Sequence, residues 1–158
     1  MLKLFGSALI LFVGWGIGYS ASRRAKEALE ASRALLSLIR FIRGQIESFC
    51  LPREQIFSRF EHSYLARTGF LDALLEHGSL TLALECLPCL PPEVAALVTA
   101  FDGELGKGYQ AEQLRLCDYY IDALSAYIDE GSGTLPSRTK VTRTVSLAGA
   151  AMLVLLLL

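Results

Sequence analysis

Two short stretches of this chain carry residue types and spacings that could do chemistry. Residues 103–110, GELGKGYQ, place three glycines around Lys107, as in loops whose backbone amides hold a phosphate. A Walker-type loop needs a glycine, four residues and then Gly-Lys-Ser/Thr. Here Phe101 stands at the first glycine and Gly108 at the hydroxyl, and residues 91–105 have the pattern of a helix instead of a buried strand. The sequence therefore disfavours a nucleotide-binding loop.

As a joint between helices, the same stretch has a simple physical explanation. Its three glycines are Gly103, Gly106 and Gly108. They would supply the positive φ or the close contact of a sharp turn after a helix that ends near Leu105. The cation of Lys107 would lie near that helix C-terminus, where the helix dipole favours it without any ligand. The stretch is predicted to be a hinge that sets the angle between two helices.

The second stretch is the CLPC motif, in which Cys86 and Cys89 could form a redox pair or half of a metal site. No second cysteine pair follows, and His62 and His77 are 15 residues apart without a shared motif. The simpler interpretation is two small apolar side chains buried at a helix end. The carboxylates are expected at solvent positions of helices, so no catalytic, cofactor-binding or metal-binding residue is predicted.

Hydropathy divides the 158 residues into four regions. The composition, 53% hydrophobic with a formal charge of −1, excludes disorder and does not suggest nucleic-acid binding. Residues 1–22 contain 19 consecutive uncharged positions and are predicted to be a transmembrane helix. Residues 144–158 are 15 uncharged residues, predicted to be a C-terminal hydrophobic membrane segment. Between them we expect a helical domain at 23–131 and a flexible basic juxtamembrane linker at 132–143.

Basic residues on both sides of the central domain indicate its topology. They are Arg23, Arg24 and Lys26 before it, and Arg138, Lys140 and Arg143 after it. Because positive flanks favour the cytoplasmic side, the domain is predicted to face the cytoplasm, with both chain ends across the membrane. Two alternatives remain open: the N-terminal segment as a cleaved signal peptide, and the C-terminal segment as a hydrophobic helix packed on the domain.

Apolar spacing predicts the fold class of the central domain. Residues 35–49 and 114–128 each carry apolar side chains at spacings of three and four, which predicts two long striped helices packed antiparallel. A shorter helix is expected over 54–62, followed by a connection at 63–69 and a helix over FLDALLEH that ends at a left-handed cap at Gly78. Two more helices are expected, one over SLTLALECL and one that begins at Pro91-Pro92. The fold is therefore expected to be all-α, an antiparallel bundle of about six helices between two transmembrane helices.

Charge is uneven along this domain. Residues 23–67 carry nine basic and five acidic side chains, a net of +4, whereas residues 68–131 carry two basic and eleven acidic ones, a net of −9. The two halves can complement each other and solvate the surface. Alternatively, the acidic face of the last helix meets a basic partner. The candidates on that face are Asp118, Asp122, Asp129 and Glu130.

Four stretches together carry a family pattern: MLKLFGSALILFVGWGIGY, IRGQIESFCLPREQIF, LPPEVAALVTAFDGELGKGYQAEQL and the basic lead into the apolar tail. In this order, over nearly the whole chain, they resemble the stage III sporulation protein AB family. The resemblance is most specific at the MLKL start, at the Gln-Ile-Glu helix before a proline, and at Leu105, Gly106 and Gln113. The family usually has an acidic residue where Tyr109 stands and a serine-like residue near Gly108, and CLPC is not one of its features.

The resemblance implies a cytoplasmic helical domain similar to the repeat of type II secretion inner-membrane platform proteins. It implies a place in the cell membrane, at the outer forespore membrane of the mother cell, within the channel complex between mother cell and forespore. The implied partners are the membrane, a secretion-type ATPase and other channel-complex proteins, without nucleic acid or a small-molecule substrate. The motif's interaction or hinge candidates are Leu105, Gly106, Lys107, Gly108, Glu112 and Gln113.

Three functions are therefore considered from the sequence. The leading one is a non-enzymatic membrane-anchored scaffold, without cofactor, whose helical domain docks an ATPase or other channel subunits. The alternative is a small membrane-tethered redox or metal-binding protein that uses the CLPC pair, with His62 or His77 as a further ligand. A third is a membrane regulator that binds a partner helix in an exposed groove.

Overall fold

The structure is a computed structural model that describes the backbone of residues 2–49 and 51–132 and the side chains of residues 23–49 and 51–132. Every regular element in these ranges is helical, which confirms the all-α class for the described part of the chain. The predicted membrane segment at 144–158 lies outside the described residues, as does nearly all of the predicted linker at 132–143.

The helices follow one another with short connections. Helix α1 is Leu2–Phe49, followed by α2 (Arg53–Ser58), α3 (Ser63–Arg67), α4 (Phe70–His77), α5 (Leu80–Ala83) with a 3₁₀ turn at Leu84–Cys86, and α6 (Pro92–Glu104). Residues 110–132 are also helical and are called α7. Residues Glu27–Glu130 form one compact unit of the chain, and the candidate site lies in this unit.

Among the residues that the structure describes, no helix is long and apolar enough to cross a membrane. The backbone of residues 2–22 is helical, but the membrane-spanning character predicted there depends on side chains that are not described. That character stays a prediction.

Helices α1 and α7 run antiparallel in the unit Glu27–Glu130. Near the end of α1, the Gln110 side-chain amide donates to the carbonyl of Ile46 at 2.9 Å. One turn earlier in α1, the Arg43 Nε donates to the Asp118 carboxylate at 2.5 Å. As residue numbers decrease along α1, from 46 to 43, the residue numbers of the contacting positions in α7 increase, from 110 to 118. This is the arrangement expected for two striped helices that share one core.

The predicted stripes form much of that core. Leu35, Ile39, Ile42 and Ile46 of the predicted α1 stripe are buried, as are Cys117, Leu124 and Ile128 of the predicted α7 stripe. The predicted stripe positions Leu114 and Ile121 are only partly buried, and their neighbours Gln113 and Tyr120 are buried instead. The shorter helices add fully buried side chains, among them Leu65, Phe70, Leu74, Leu80 and Phe101. The rings of Phe101 and Tyr120 meet edge to face with centroids 5.4 Å apart, which joins α6 to α7. Phe49 was assigned to the α1 stripe but is 63% exposed, because α1 ends at this residue and the chain turns away at Pro52.

Some element boundaries confirm the sequence analysis and others correct it. Gly78 caps α4 with a φ of 62°, and Pro92 is the first residue of α6, as their turn chemistry predicts. The helix expected over 54–62 ends at Ser58, and the connection expected at 63–69 contains α3. Helix α3 has only five residues, and Leu65 within it is completely buried, so tertiary packing and not local propensity stabilises it.

Candidate functional site

The glycine-rich stretch forms a tight turn between α6 and α7. Gly106 has a φ of 86° and Gly108 a φ of 122°, a region that side-chain-bearing residues rarely adopt. Gly103 lies within the last turn of α6 and has no positive φ, so the hinge role expected for it is wrong. Leu105 is buried, whereas Lys107 is exposed at the apex of the turn. The turn therefore presents backbone and one cation to solvent, while its first residue anchors it in the core.

Gln113 in the first turns of α7 holds this turn together. Its side-chain oxygen accepts the backbone N–H of Gly106 at 2.8 Å. Its side-chain nitrogen donates to the carbonyl of Lys107 at 2.8 Å and, at 3.4 Å, to that of Glu104. Gln113 is only 7% exposed, so its amide is engaged within the turn. The Leu-Gly-x₆-Gln spacing of the motif is thus the spacing that lets one amide bridge both sides of the turn.

Glu112 completes the turn from its outer side. Its carboxylate accepts the backbone N–H of Tyr109, the residue that precedes α7, at 3.1 Å. This is the reciprocal half of a capping box, which stabilises a helix start with a glutamate at the third helical position. With Gly106 N–H bound to Gln113 and Tyr109 N–H bound to Glu112, two amides that a phosphate would require are already satisfied. The carboxylate of Glu112 would also repel an anion there.

One residue of the acidic face of α7 forms an ion pair within the domain. Asp118 forms an ion pair with Arg43, whose guanidinium also pairs with Glu47 at 2.6 Å. The hydrogen bond that Arg43 donates to Asp118, together with the negative charge of Asp118, raises the pKa of Arg43 above its ordinary value. The side chains of three other acidic residues are exposed: Asp122, Asp129 and Glu130. The contact between Arg43 and Asp118 supports the interpretation that the basic and acidic halves complement each other.

An open groove of about 600 Å³ lies where α1 ends, α2 begins and the glycine turn passes by. Its walls are mainly apolar: Ile42, Ile46, Leu51, Pro52, Ile56, Phe57 and Leu105. Its polar edge is formed by Arg53, Glu54, Gly106, Gly108, Gln110 and Gln113. The structure therefore brings the motif residues Leu105, Gly106, Gly108 and Gln113 to one groove, together with the proline-containing stretch after α1.

Asp102 binds a residue of the groove wall and is itself buried. The sequence analysis missed it, because it expected the carboxylates at solvent positions. Asp102 is 9% exposed and forms an ion pair with Arg53 of the groove wall. One of its oxygens accepts Ser79 Oγ at 2.8 Å, and the N–H and hydroxyl of Thr81 at 3.1 and 2.9 Å. Burial works to raise the pKa of Asp102, but these hydrogen bonds outweigh it, so the pKa lies below its ordinary value.

No local pattern around Asp102 could have identified it as buried, since its partners come from α2 and from the start of α5. The ion pair and hydrogen bonds tie α6 to both of these elements. Because Asp102 lies one helical turn before Gly106, this link holds α2 and the turn at a defined distance across the groove. Asp102 is therefore a positioning residue for the groove.

The CLPC motif lies on a second cavity of about 400 Å³. Cys86 and Cys89 are free and only partly buried, which differs from the buried apolar residues that the sequence suggests. The Cys89 thiol contacts the Glu27 carboxylate at 3.6 Å, and neither His62 nor His77 lines the cavity. Among the described residues, no group of three or more His, Cys, Asp or Glu side chains could hold a metal ion. Of the three described cysteines, the fully buried one is Cys117, in the α1–α7 core.

Comparisons with models of protein families, with curated proteins and with solved structures find no match to this chain.

Proposed function

We propose that this protein is a non-enzymatic, membrane-anchored component of the mother cell–forespore channel complex, and that its helical domain docks a secretion-type ATPase or other channel subunits. The observation that supports docking is the groove. The motif residues that resemble the stage III sporulation protein AB family build a capped turn beside an open apolar groove, instead of a phosphate loop. A rigid turn next to an open groove, with Leu51 and Pro52 as its accessible apolar residues, is suited to protein contact.

In this proposal the all-α domain is a bundle of about six helices between an N-terminal and a C-terminal transmembrane helix. The domain faces the cytoplasm, at the outer forespore membrane of the mother cell. The basic residues on both flanks of the domain support this topology. Labelling of engineered surface cysteines in intact and permeabilised cells tests it. Reaction of domain positions with a membrane-impermeant maleimide in intact cells would contradict it.

Co-purification tests the docking function directly. The full chain carries an affinity tag, is solubilised from sporulating cells after mild crosslinking, and is compared with an untagged strain. We expect a secretion-type ATPase or another channel subunit among the recovered proteins. Recovery of neither, from cells in which the tagged protein complements sporulation, would refute the docking function.

A second candidate function is a membrane-tethered redox protein that uses Cys86 and Cys89. The observation in its favour is the contact between the Cys89 thiol and Glu27 on the wall of a cavity. Serine at both cysteines separates the two functions. The scaffold predicts unchanged sporulation, whereas a redox function predicts its loss at normal protein abundance.

A further inference from the structure

We infer that the CLPC motif is a dithiol that reduces small organic disulfides in the cavity it lines, with Cys86 as the attacking thiol and Cys89 as the resolving thiol. This inference rests on the second candidate function, the redox protein, and specifies its substrate class and the role of each cysteine. It follows from three observations: two accessible thiols on consecutive turns, a cavity of ligand size, and a carboxylate hydrogen-bonded to one of the two thiols.

The two thiols belong to consecutive tight turns that line one cavity. The Leu87 N–H donates to the Leu84 carbonyl at 2.9 Å, and the Leu90 N–H donates to the Leu87 carbonyl at 3.0 Å. Cys86 is the third residue of the first turn, and Cys89 is the third residue of the second. Both cysteines are free, partly buried and in contact with the cavity. A reagent in the cavity can therefore reach both thiols, which have the two-residue spacing of thiol–disulfide exchange motifs.

The cavity is large enough for one small organic molecule. Its volume is about 400 Å³, within the range of ~300–1,000 Å³ in which proteins bind such ligands. The Tyr64 hydroxyl in its lining donates to the backbone carbonyl of Glu27 at 3.4 Å, which joins α3 to α1 beside the thiols. Burial and nearby negative charge raise the pKa of Tyr64, so its hydroxyl stays protonated. The thiols are therefore the strongest nucleophiles that line the cavity.

Glu27 distinguishes the two cysteines. One oxygen of its carboxylate accepts the Cys89 thiol at 3.6 Å. A hydrogen bond to the neutral thiol and a negative charge beside it both disfavour the thiolate, which is the nucleophile. Within the described part of the chain, Cys86 has no such contact. Cys86 therefore attacks first, and Cys89 stays protonated until a mixed disulfide has formed.

The other charged groups of the cavity leave this order unchanged. They are Glu30 of α1 and Arg67 of α3, both exposed, and the Arg67 guanidinium lies 6.0 Å from the centre of the Tyr64 ring. Solvent screens exposed charges, so their effect is weaker than that of the Glu27 carboxylate in direct contact. A dithiol gives up electrons more readily when its surroundings do not stabilise the thiolate. The pair is therefore suited to reducing a disulfide and not to oxidising thiols.

The exchange balances in two steps. The Cys86 thiol loses its proton to water, and its thiolate attacks one sulfur of the substrate RSSR. The substrate S–S bond breaks, a mixed disulfide forms on Cys86, and RS⁻ leaves and is protonated. The Cys89 thiol then transfers its proton to the Glu27 carboxylate as its sulfur attacks Cys86 Sγ, and the second RS⁻ leaves and takes that proton. The substrate gains two electrons and becomes two RSH, while the dithiol loses two electrons and becomes a disulfide.

The test uses the full chain with Cys50→Ser, reconstituted in phosphatidylcholine nanodiscs, reduced with dithiothreitol and transferred to neutral buffer without reductant. Empty nanodiscs are the blank. The probe is the disulfide of mercaptoethanol, which is small and uncharged. Remaining thiols are alkylated with iodoacetamide at each time point, and mass spectrometry locates the disulfides. The chain with both motif cysteines should form the Cys86–Cys89 disulfide and release two molecules of mercaptoethanol.

Single-cysteine variants in the same chain test the assigned roles. Cys89→Ser should hold a persistent mixed disulfide on Cys86. Cys86→Ser should form its mixed disulfide on Cys89 about threefold more slowly, because a unit charge at ~4 Å in water changes the thiolate population about fivefold and the greater nucleophilicity of a more basic thiolate offsets part of this. Glu27→Gln in the Cys86→Ser chain should raise the Cys89 rate about threefold. Glu30→Gln, the matched change at an exposed carboxylate of the same cavity, should leave that rate near its parent, and circular dichroism confirms that each variant is folded.

Three results would overturn the inference: no disulfide between the motif cysteines, a Cys89 thiol that reacts as fast as Cys86, or a Cys89 rate that Glu27→Gln leaves unchanged. The sporulation assay with serine at both cysteines separates this inference from the second candidate function. Exchange in nanodiscs with unchanged sporulation supports disulfide reduction by the motif and refutes a redox role in sporulation. Loss of sporulation without exchange supports a redox role and refutes this mechanism.

Discussion

Alanine at each of three glycines tests the geometry of the turn most directly, because the three positions predict three different results. Gly106 has a φ of 86°, and a Cβ there would meet nothing within 4 Å. The cost of Gly106→Ala is then conformational only, about 1–2 kcal/mol for a side-chain-bearing residue in the left-handed region. The lower entropy of the unfolded alanine chain offsets part of it, which leaves about 1 kcal/mol.

Gly108→Ala should cost more, because strain and a steric clash add. Its φ is 122°, and a Cβ would lie 2.5 Å from the Glu112 carboxylate oxygen. That carboxylate would have to move, which breaks its bond to the Tyr109 N–H. Backbone strain of about 1–3 kcal/mol and a lost capping bond of about 1 kcal/mol together give about 2–4 kcal/mol. Gly103 is the matched control: it lies in α6 with open space around it, so alanine should stabilise by about 0.5–1 kcal/mol.

The measurement is urea unfolding of each full-length variant, followed by circular dichroism and extrapolated to water. A second comparison isolates the clash: in a Glu112→Ala background, Gly108→Ala should lose a smaller amount of stability than in the wild type. If Gly106→Ala were as stable as Gly103→Ala, or if the effect of Gly108→Ala did not change without Glu112, the turn would have a different conformation from the one described.

Three further predictions concern the groove and the cysteines. Gln113→Glu keeps an acceptor for the Gly106 N–H but places a carboxylate oxygen against the carbonyls of Lys107 and Glu104. It should therefore destabilise the protein by about 2–3 kcal/mol in the same urea assay. A change of less than about 0.5 kcal/mol would show that the amide does not hold the turn. Asp102→Asn should cost about 2–4 kcal/mol at pH 7. The pKa of Asp102 in the folded protein lies below the ordinary 3.8, so its contribution to the free energy of unfolding is present above about pH 4 and is lost as pH falls through the folded pKa. The stabilities of wild type and Asp102→Asn should therefore converge in acid. A constant difference in stability down to pH 2 would contradict the ion pair. Burial raises the pKa of the Cys117 thiol to about 11. In a variant that lacks Cys50, the Cys117 thiol should therefore react with maleimide at least about 100-fold more slowly than the thiols of Cys86 and Cys89. Equal reaction rates, measured by mass spectrometry, would contradict the burial of Cys117.

Patterns between neighbouring residues accounted for much of the fold. The spacing of three and four along 35–49 and 114–128 predicted most of the buried faces of α1 and α7, because a helix repeats every 3.6 residues. Phe49 is nevertheless exposed, and Leu114 and Ile121 are only partly buried. Glycine and proline predicted local geometry for a similar reason: Gly78 is a left-handed cap, Pro92 opens a helix, and Gly106 has a positive φ. Their conformational limits act within one or two residues and do not depend on the rest of the chain.

The motif was identified from the sequence, but the reason for its spacing was not. Sequence analysis grouped Gln113 with interaction candidates, whereas the structure shows its amide bound across the turn. The same holds for the acidic face, where Asp118 pairs with Arg43 of a helix 75 residues away in sequence. A motif shows which residues occur together, and only the folded chain shows whether they face one another or the solvent.

The sequence alone determined the all-helical class, the two apolar stripes and the glycine turn, since each depends on residues a few positions apart. Tertiary structure alone decided the burial of Asp102, the existence of α3 and the groove. Asp102 binds residues 21, 23 and 49 positions away, and its burial is stable only because those partners replace water. The groove likewise has walls from α1, α2 and the turn, so it exists only when all three are packed together.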